Sequence, residues 1–362
     1  MLGKPSQRKP TSPALQGGVS SVTGCGTMRL LDLIVQGRCP SVYADDGMEL
    51  PNPLRFVEPV RACPLRLVLT DELVRCATQL AFAEGDRLSA CLDLIRVPAQ
   101  SLWVEWADEP RREALKAIPS LEVKDAGDSR HAGVLITASA DGRTGHFRAF
   151  WSTPEDQAFL SPMVTVFSFD ERTTGAEARP PVGWRGETYL TMDGEPAIEE
   201  LLEHLRLHFD EEWAAYYQSR CDTEALQTAV LRSSLGGCAF DGPMLMALFL
   251  LFGARDMLPR QDVRHERINR IRRQGGKPPL LEHIQISAPL DRPPVLGYQR
   301  SGESNRFSPR LHHVRGHIVR RGSSVFWRSP HLRGSARLGQ VRSRTVLLTY
   351  GATPIERATL VH

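Results

Sequence analysis

The sequence lacks the features of a secreted, membrane-spanning or zinc-binding protein. Its seven cysteines are an odd number and form no C-x-x-C pair, which argues against a disulfide framework and against a zinc knuckle. The longest apolar run, Met244 to Phe252, is much shorter than the roughly 20 residues that cross a bilayer. We therefore expect a reduced, cytoplasmic protein with no membrane span and no bound metal, whose cysteines are mostly small buried apolar residues.

Internal repeats and nucleotide-binding glycine motifs are also missing. No segment has the spacing of a phosphate-cradling glycine loop, so no cofactor is expected. The first 27 residues are rich in Ser, Thr, Pro and Gly and contain no apolar segment, which is typical of a disordered tail rather than of a secretory signal. At 362 residues the chain exceeds the roughly 100 to 200 residues of one domain, so two domains are expected.

What the sequence has in excess is charge of one sign in each of two blocks. Residues 260–344 hold 19 Lys or Arg against 5 Asp or Glu and six of the 11 histidines, whereas residues 28–259 hold 22 Lys or Arg against 36 Asp or Glu. A formal charge of +14 thus follows one of −14, although the whole chain carries only +3. Because cations that neutralise phosphates release condensed counterions, the basic block predicts a nucleic-acid partner.

Apolar periodicity predicts an α+β fold. Thr70 has the position of a helix N-cap, and helical spacing continues to about Ile95. Strands that favour an antiparallel sheet are predicted over Leu102–Trp106, Gly133–Thr137, His146–Trp151 and Met163–Phe169, and Asp141-Gly142 has the pattern of a hairpin turn between two of them. Further helices are predicted over Glu199–Gln218, Glu224–Leu235, Pro243–Met257 and Gln261–Gln274.

Charge and periodicity together predict a mixed helical and antiparallel-sheet domain followed by a small basic β module. The predicted divisions are a disordered tail over 1–27, an acidic α+β domain over 28–258, a basic helix and strand over 259–287, a linker or long loop over 288–310 and a basic β module over 311–350. The three strands predicted in the module cover 311–321, 324–328 and 341–348.

One face of this basic module is predicted to be cationic. A period of two along the first strand places His313, Arg315 and His317 on the same face, and such a surface can hold a nucleic-acid backbone while aromatic rings stack on bases. The predicted nucleic-acid-binding residues are Arg315, Arg320, Arg321, Trp327, Arg333, Arg342 and Arg344 in the module, and Arg270, Arg273 and Lys277 before it.

The same part of the sequence resembles a known group of proteins. The pattern consists of Arg270-x-x-Arg273 with Gly276-Lys-Pro-Pro-Leu280, His313-Val-Arg-Gly-His317, Trp327, and Pro330-His331-x-Arg-Gly334. In this order the residues are similar to a family of uncharacterised proteins encoded by tailed bacteriophages and prophages, and the likeness is strongest over 266–340. The resemblance implies a phage or prophage setting inside a bacterial host cell, and it implies no reaction mechanism.

Two other functions remain open for these residues. The first is a metal-independent ribonuclease, in which one imidazole accepts the 2′-OH proton, another protonates the leaving oxygen and an arginine stabilises the phosphorane. His313 and His317 would lie about 13 Å apart on one strand, so such a site needs His331 together with one of them and Arg315. The second is a structural or assembly protein of the phage, whose basic end contacts acidic protein.

His204 and His208 have the i, i+4 spacing with which one helix can bind zinc. Leu205 stands where a zinc protease would have its glutamate, and Leu202 and Phe209 belong to the apolar stripe of the predicted helix. We therefore expect the two histidines on the flank of that helix, without a metal.

Overall fold

The structure, a computed structural model, describes residues 28–44, 47–118, 129–170, 188–189, 196–221, 223–254, 258–288, 310–314, 317–328, 331–333 and 335–340. Among the helices in these ranges, none is both long enough and apolar enough to span a bilayer.

The largest element is a nine-stranded sheet. Its strands are β1 (Leu65–Leu69), β2 (Ser101–Ala107), β3 (His131–Ala138), β4 (Thr144–Ser152), β5 (Ala158–Ser168), β6 (Thr188–Tyr189), β7 (Leu205–Phe209), β8 (Arg260–Val263) and β9 (His283–Ile286). They lie in the order β6-β7-β5-β4-β3-β2-β1-β9-β8. Strand β1 is parallel to both of its neighbours, β2 and β9, and the other neighbouring pairs are antiparallel.

The helices pack on both faces of this sheet, so the predicted α+β class is confirmed. They are α1 (Leu30–Val35), α2 (Val57–Ala62), α3 (Asp71–Ala83), α4 (Gly85–Ser89), α5 (Asp108–Lys116), α6 (Pro196–Leu202), α7 (Glu211–Arg220), α8 (Glu224–Gly253) and α9 (Glu266–Gln274). One core joins the first face to α3, α6 and α8. A second core joins the other face to α1 and α2.

The four predicted strands correspond to β2, β3, β4 and β5, and Gly142, with φ of 70°, forms the predicted turn between β3 and β4. These four strands pair antiparallel, as predicted, and the whole sheet is mixed because β1 is parallel to β2 and β9. Helices α3 and α4 connect β1 to β2, and a helical connection of this kind allows two successive strands to be parallel.

The structure corrects all four helices predicted between Glu199 and Gln274. The segment Glu199–Gln218 contains strand β7 between α6 and α7, because Leu205, Leu207 and Phe209 alternate with polar residues and are buried in the sheet. The segments on either side of Gly236-Gly237 form one helix, α8, even though glycine disfavours helix. The segment Gln261–Gln274 begins as strand β8, and its helix begins only at Glu266.

Beyond residue 309 the described chain forms two small sheets. Their strands are β10 (Arg310–Val314), β11 (His317–Arg321), β12 (Ser324–Arg328), β13 (His331–Arg333) and β14 (Ser335–Gln340). Strand β10 lies between β13 and β14, and β11 pairs with β12. The predicted strand 324–328 is confirmed, but 311–321 is two strands in two sheets, and the sequence between them contains Gly316, a residue type depleted in strands. The predicted strand 341–348 lies outside the described residues.

The predicted boundary at residue 258 falls within the large sheet. Strands β8 and β9 follow that boundary in sequence, yet β9 pairs with β1, and Ile286 is fully buried in the first core. The boundary therefore marks a change of charge along the chain, and the sheet continues across it.

A buried carboxylate positions α1 on the second face of the sheet. Glu105 on β2 is 1% exposed and accepts hydrogen bonds from the backbone N–H groups of Leu30 at 2.7 Å and Leu31 at 3.0 Å. Burial raises the pKa of Glu105, and these two hydrogen bonds oppose the shift. The carboxylate thus satisfies donors at the beginning of the helix that would otherwise be buried without partners.

Candidate nucleic-acid interface

Helix α9 presents arginines to solvent at the end of the large sheet. Asn269 anchors its inner side, because its side-chain amide donates to the carbonyl of Leu280 at 2.9 Å and accepts from the N–H of Leu280 at 2.7 Å. The helix ends at Gln274, as the sequence predicts, and Gly276 after it has a φ of 66° that favours glycine. The inner contacts leave the opposite side of α9 open to water.

The open side carries a group of unpaired cations that we call the basic edge. Its members are Arg264, Arg267, Arg270, Arg273 and Lys277, all of which are exposed. In the part of the chain that the structure describes, none of the five has a salt bridge or a side-chain hydrogen bond. Arg270, Arg273 and Lys277, predicted from the sequence as nucleic-acid-binding residues, therefore lie together on one accessible surface.

Apolar side chains interrupt the basic edge. Ile268 is 49% exposed and Ile271 is 62% exposed, and both are among the most exposed large apolar residues described. Positions 267, 270 and 271 share the outward side of the helix, since residues three and four apart are neighbours. A ligand at this surface would meet both positive charge and an aliphatic patch.

The β11–β12 hairpin uses part of its charge inside the molecule. Arg320 donates to both carboxylate oxygens of Asp93, at 2.7 and 2.8 Å, and to the carbonyl of Ala90 at 2.6 Å. Ile318 and Val325 of the same hairpin are 8% and 7% exposed and belong to the first core. The hairpin is thus attached to the acidic part of the chain.

Another arginine of the hairpin remains at the surface. Arg321 is exposed, and its guanidinium carbon lies 5.2 Å from the centre of the Phe326 ring. Arg333 on β13 is exposed as well. Of the other cations predicted for this interface, Arg315, Arg342 and Arg344 lie outside the described residues.

The strand register locates the histidines of the predicted ribonuclease site. Strand β10 is antiparallel to β13, with His313 opposite Leu332 and Val314 opposite His331. His317 lies in the other small sheet, opposite Arg328, and Trp327 is opposite Ile318. His313 and His331 are therefore on paired strands but not at opposite positions, and the ribonuclease hypothesis stays a prediction.

A second cationic site lies on β4, β5 and β7, and we call it the strand cleft. It has a volume of about 460 Å³ and lies on the face of the sheet that α1 and α2 cover only in part. Its lining includes His146, Arg148, Val164, Val166, Arg206 and His208. Two rows cross the three strands in register: His146, Val166 and Arg206 form one, and Arg148, Val164 and His208 form the other.

Neighbouring groups set the electrostatics of the strand cleft. Arg148 donates to the carboxylate of Asp210 at 2.5 Å, and its guanidinium carbon lies 5.1 Å from the centre of the Phe56 ring. Partial burial, followed by the charges of Arg148 and His208, lowers the pKa of His146. His146 is therefore mostly neutral at pH 7 when the cleft holds no anion.

The strand cleft is absent from the sequence predictions because the segment with Arg206 and His208 was expected to be helical. His204 is buried in the turn before β7, with its Nδ1 2.8 Å from the carbonyl oxygen of Ser168, whereas His208 is on the strand itself. The two residues share no helical face, and the described residues contain no group of three metal-ligating side chains. A signal was present: polar side chains alternate with apolar ones at 146–148 and at 205–209.

Comparison with models of protein families, with curated proteins and with solved structures finds no match to this chain.

Proposed function

We propose that the protein binds nucleic acid, mainly through phosphate contacts at the basic edge. The observation that carries this proposal is that Arg264, Arg267, Arg270, Arg273 and Lys277 are exposed, with no acidic partner in the described chain. Cations that are not already neutralised can release counterions from phosphates, and this release supplies most of non-specific affinity. The binding would occur in the cytoplasm of a bacterial host, in a phage or prophage setting.

The small sheets after residue 309 would extend this function as a basic β module. Arg321 and Arg333 are exposed and offer further phosphate contacts. Arg320 contributes less, since Asp93 already neutralises its charge. Ile268 and Ile271 would add contact with sugars or base edges next to the phosphates.

Salt dependence of binding tests the proposal. A triple variant, Arg267→Ala, Arg270→Ala and Arg273→Ala, is compared with the wild type by fluorescence anisotropy on labelled single- and double-stranded oligonucleotides over a range of salt concentrations. Each lost phosphate contact should reduce the slope of log K against log[salt] by about 0.7 to 0.9. We therefore expect the slope to fall by about 2 to 3.

The matched control removes the same charge from arginines that have acidic partners. Arg61, Arg75 and Arg87 form salt bridges with Glu58, Glu113 and Glu84. The slope of log K against log[salt] for their triple alanine variant should differ from the wild-type slope by no more than the value of one phosphate contact, about 0.7 to 0.9. Equal losses in the two triple variants, or wild-type affinity in the first, would remove the basic edge as the binding surface.

One further assay separates binding from the two alternatives. RNA incubated with the protein in EDTA stays intact if the protein only binds, and it yields products on a gel if the metal-independent ribonuclease hypothesis is correct. An assembly protein without nucleic-acid affinity would show neither cleavage nor salt-dependent anisotropy.

A further inference from the structure

We propose that the strand cleft is a binding site for a phosphate group that carries two negative charges, separate from the basic edge. The two sites are on different elements. Strands β4, β5 and β7 line the cleft, whereas the basic edge lies on α9 and the residues that flank it.

The composition of the cleft selects an anion. Two arginines and two histidines line it, and no acidic residue is among the described residues that line it. The carboxylate of Asp210 lies beside the cleft and holds Arg148 through one of the five N–H donors of the guanidinium. Asp210 thus orients Arg148 and leaves other N–H donors of the guanidinium for an anion.

The register spaces the cationic groups around an apolar floor. Val164 and Val166 occupy the central strand, with His146 and Arg148 on one side and Arg206 and His208 on the other. The flanking strands are two spacings apart, or about 10 Å. Long side chains from both sides can therefore reach an anion above the two valines, and the valines offer it no competing acceptor.

A phosphate dianion fits this set better than a carboxylate does. Arginine forks match the geometry of phosphate oxygens, and two imidazoles can add donors when they are protonated. Partial burial and the charges of Arg148 and His208 lower the pKa of His146 and so favour its neutral form. Binding of a dianion would oppose that effect and raise the pKa of His146, so the cleft should take up a proton as it binds.

Histidine NMR signals provide the first test. Inorganic phosphate and AMP, added to the full-length protein, are expected to shift the ring signals of His146 and His208 and to raise the pKa of His146. Adenosine, which has no phosphate, should shift neither. An absence of shifts with millimolar phosphate and AMP would overturn the proposal.

The variant His146→Gln/His208→Gln tests the contribution of the imidazoles. Among the described residues His146 makes no hydrogen bond, and the Nδ1 of His208 lies 3.2 Å from the carbonyl oxygen of the adjacent Phe209, so the double replacement should leave the fold intact, and circular dichroism checks this. We expect calorimetric affinity for AMP at pH 6 to fall tenfold or more. Arg87→Gln, which removes a paired surface charge on α4, is the control and should leave affinity unchanged. Unchanged affinity in the double variant would contradict the assignment.

The pH dependence of affinity gives an independent readout. The charged or titratable groups that line the cleft with His146 are Arg148, Arg206 and His208. Sulfate keeps its charge between pH 6 and 8, whereas a phosphate monoester titrates near pH 6. Sulfate affinity should therefore rise as the pH falls from 8 to 6, and this rise should disappear in the double histidine variant. Sulfate affinity that does not change with pH would show that the imidazoles take no part.

The phosphate could belong to a small phosphomonoester or to the end of a nucleic-acid strand. Oligonucleotides with a 5′-phosphate or a 5′-hydroxyl, bound to the variant with Arg267, Arg270 and Arg273 replaced by alanine, distinguish these sources. If the protein prefers the 5′-phosphorylated oligonucleotide and binds it more tightly than AMP, the site takes a strand end. Equal affinities for that oligonucleotide and for AMP indicate a small ligand. If the basic edge does not bind nucleic acid, this comparison still tests the strand cleft.

Discussion

At the scale of single residues, buried titratable groups on α1 and β9 make the stability of the fold depend on pH. Asp32 is 4% exposed and accepts from the N–H of Leu281 at 3.0 Å, and burial raises its pKa to about 6. His283 is also 4% exposed, its ring centre lies 5.5 Å from that of His265, and burial, with the charge of Arg29, lowers its pKa to about 4. The two shifts act on stability in opposite directions.

His283 is expected to make the protein less stable in acid. Its pKa is about 4 in the folded protein and near 6.5 in the unfolded chain, so unfolding takes up a proton between these values. The stability that neutral His283 contributes is present above pH 6.5 and is lost as the pH falls towards 4, by about 3 kcal/mol. Asp32 acts in the opposite sense between about pH 4 and 6, because there the folded state holds the extra proton.

The substitution His283→Gln tests this expectation. Urea unfolding between pH 4.5 and 7.5 should show a smaller loss of free energy on acidification than in the wild type. Burial also lowers the pKa of His131 to about 4. Because His131 is unchanged in this variant, part of the loss of stability on acidification should remain. An identical pH profile in the variant would mean that His283 is not the group that titrates.

At the scale of elements, α8 lies against β7 at a glycine. A Cβ atom added to Gly242 would overlap a terminal methyl of Leu205, which is 1% exposed in the first core. We expect Gly242→Ala to destabilise the protein by about 1 to 3 kcal/mol, because the packed Leu205 must move. Equilibrium unfolding in urea measures the change. The double variant Gly242→Ala/Leu205→Ala should lose less stability than the sum of the losses in the two single variants. A loss equal to that sum would mean that the two residues do not clash.

Local pattern explains which elements could be predicted. Strands β2 to β5 are long, and Gly142 marks the turn between β3 and β4, so the sequence predicts them directly. Strand β7 has five residues, and so short an apolar and polar alternation fits a helix as well. Only its pairing with β5 decides between the two.

The two cationic sites differ in how much of each can be recognised from the sequence. Arg270, Arg273 and Lys277 are close in sequence, so their charge is visible before folding. His146 and Arg206 are far apart in sequence, and they meet only through the register of β4, β5 and β7. The parallel pairing of β1 with β9 is non-local as well, and no local pattern indicates it.

At the scale of the whole molecule, the sheet needs both charge blocks. Strand β9 comes from the basic block, and it covers the edge of β1 through three register pairs. The N–H of Thr70 also donates to the carbonyl of Ile286 at 2.9 Å. A fragment that ends at residue 258 would lose these contacts and would leave an unpaired apolar strand at the edge of its sheet.

We therefore expect a fragment over residues 28–258 to aggregate, whereas a fragment over 28–288 stays in solution. Size-exclusion chromatography and amide exchange of the β1 backbone compare them. The longer fragment keeps the basic edge, so its nucleic-acid affinity should be retained to within about tenfold, the loss being that of the contacts after residue 309. A well-folded, monomeric 28–258 fragment would show that β9 is dispensable for the sheet.

The position of β9 also has a consequence during synthesis on the ribosome. Strand β1 ends at Leu69 and its partner β9 begins only at His283, so more than 200 residues separate the two. At translation rates of about 5 to 20 residues per second, one side of β1 waits on the order of 10 to 40 s for its partner. A nascent chain that exposes the edge of an apolar strand for that time is a substrate for chaperones. Slower elongation through the basic block would lengthen this exposure and increase aggregation.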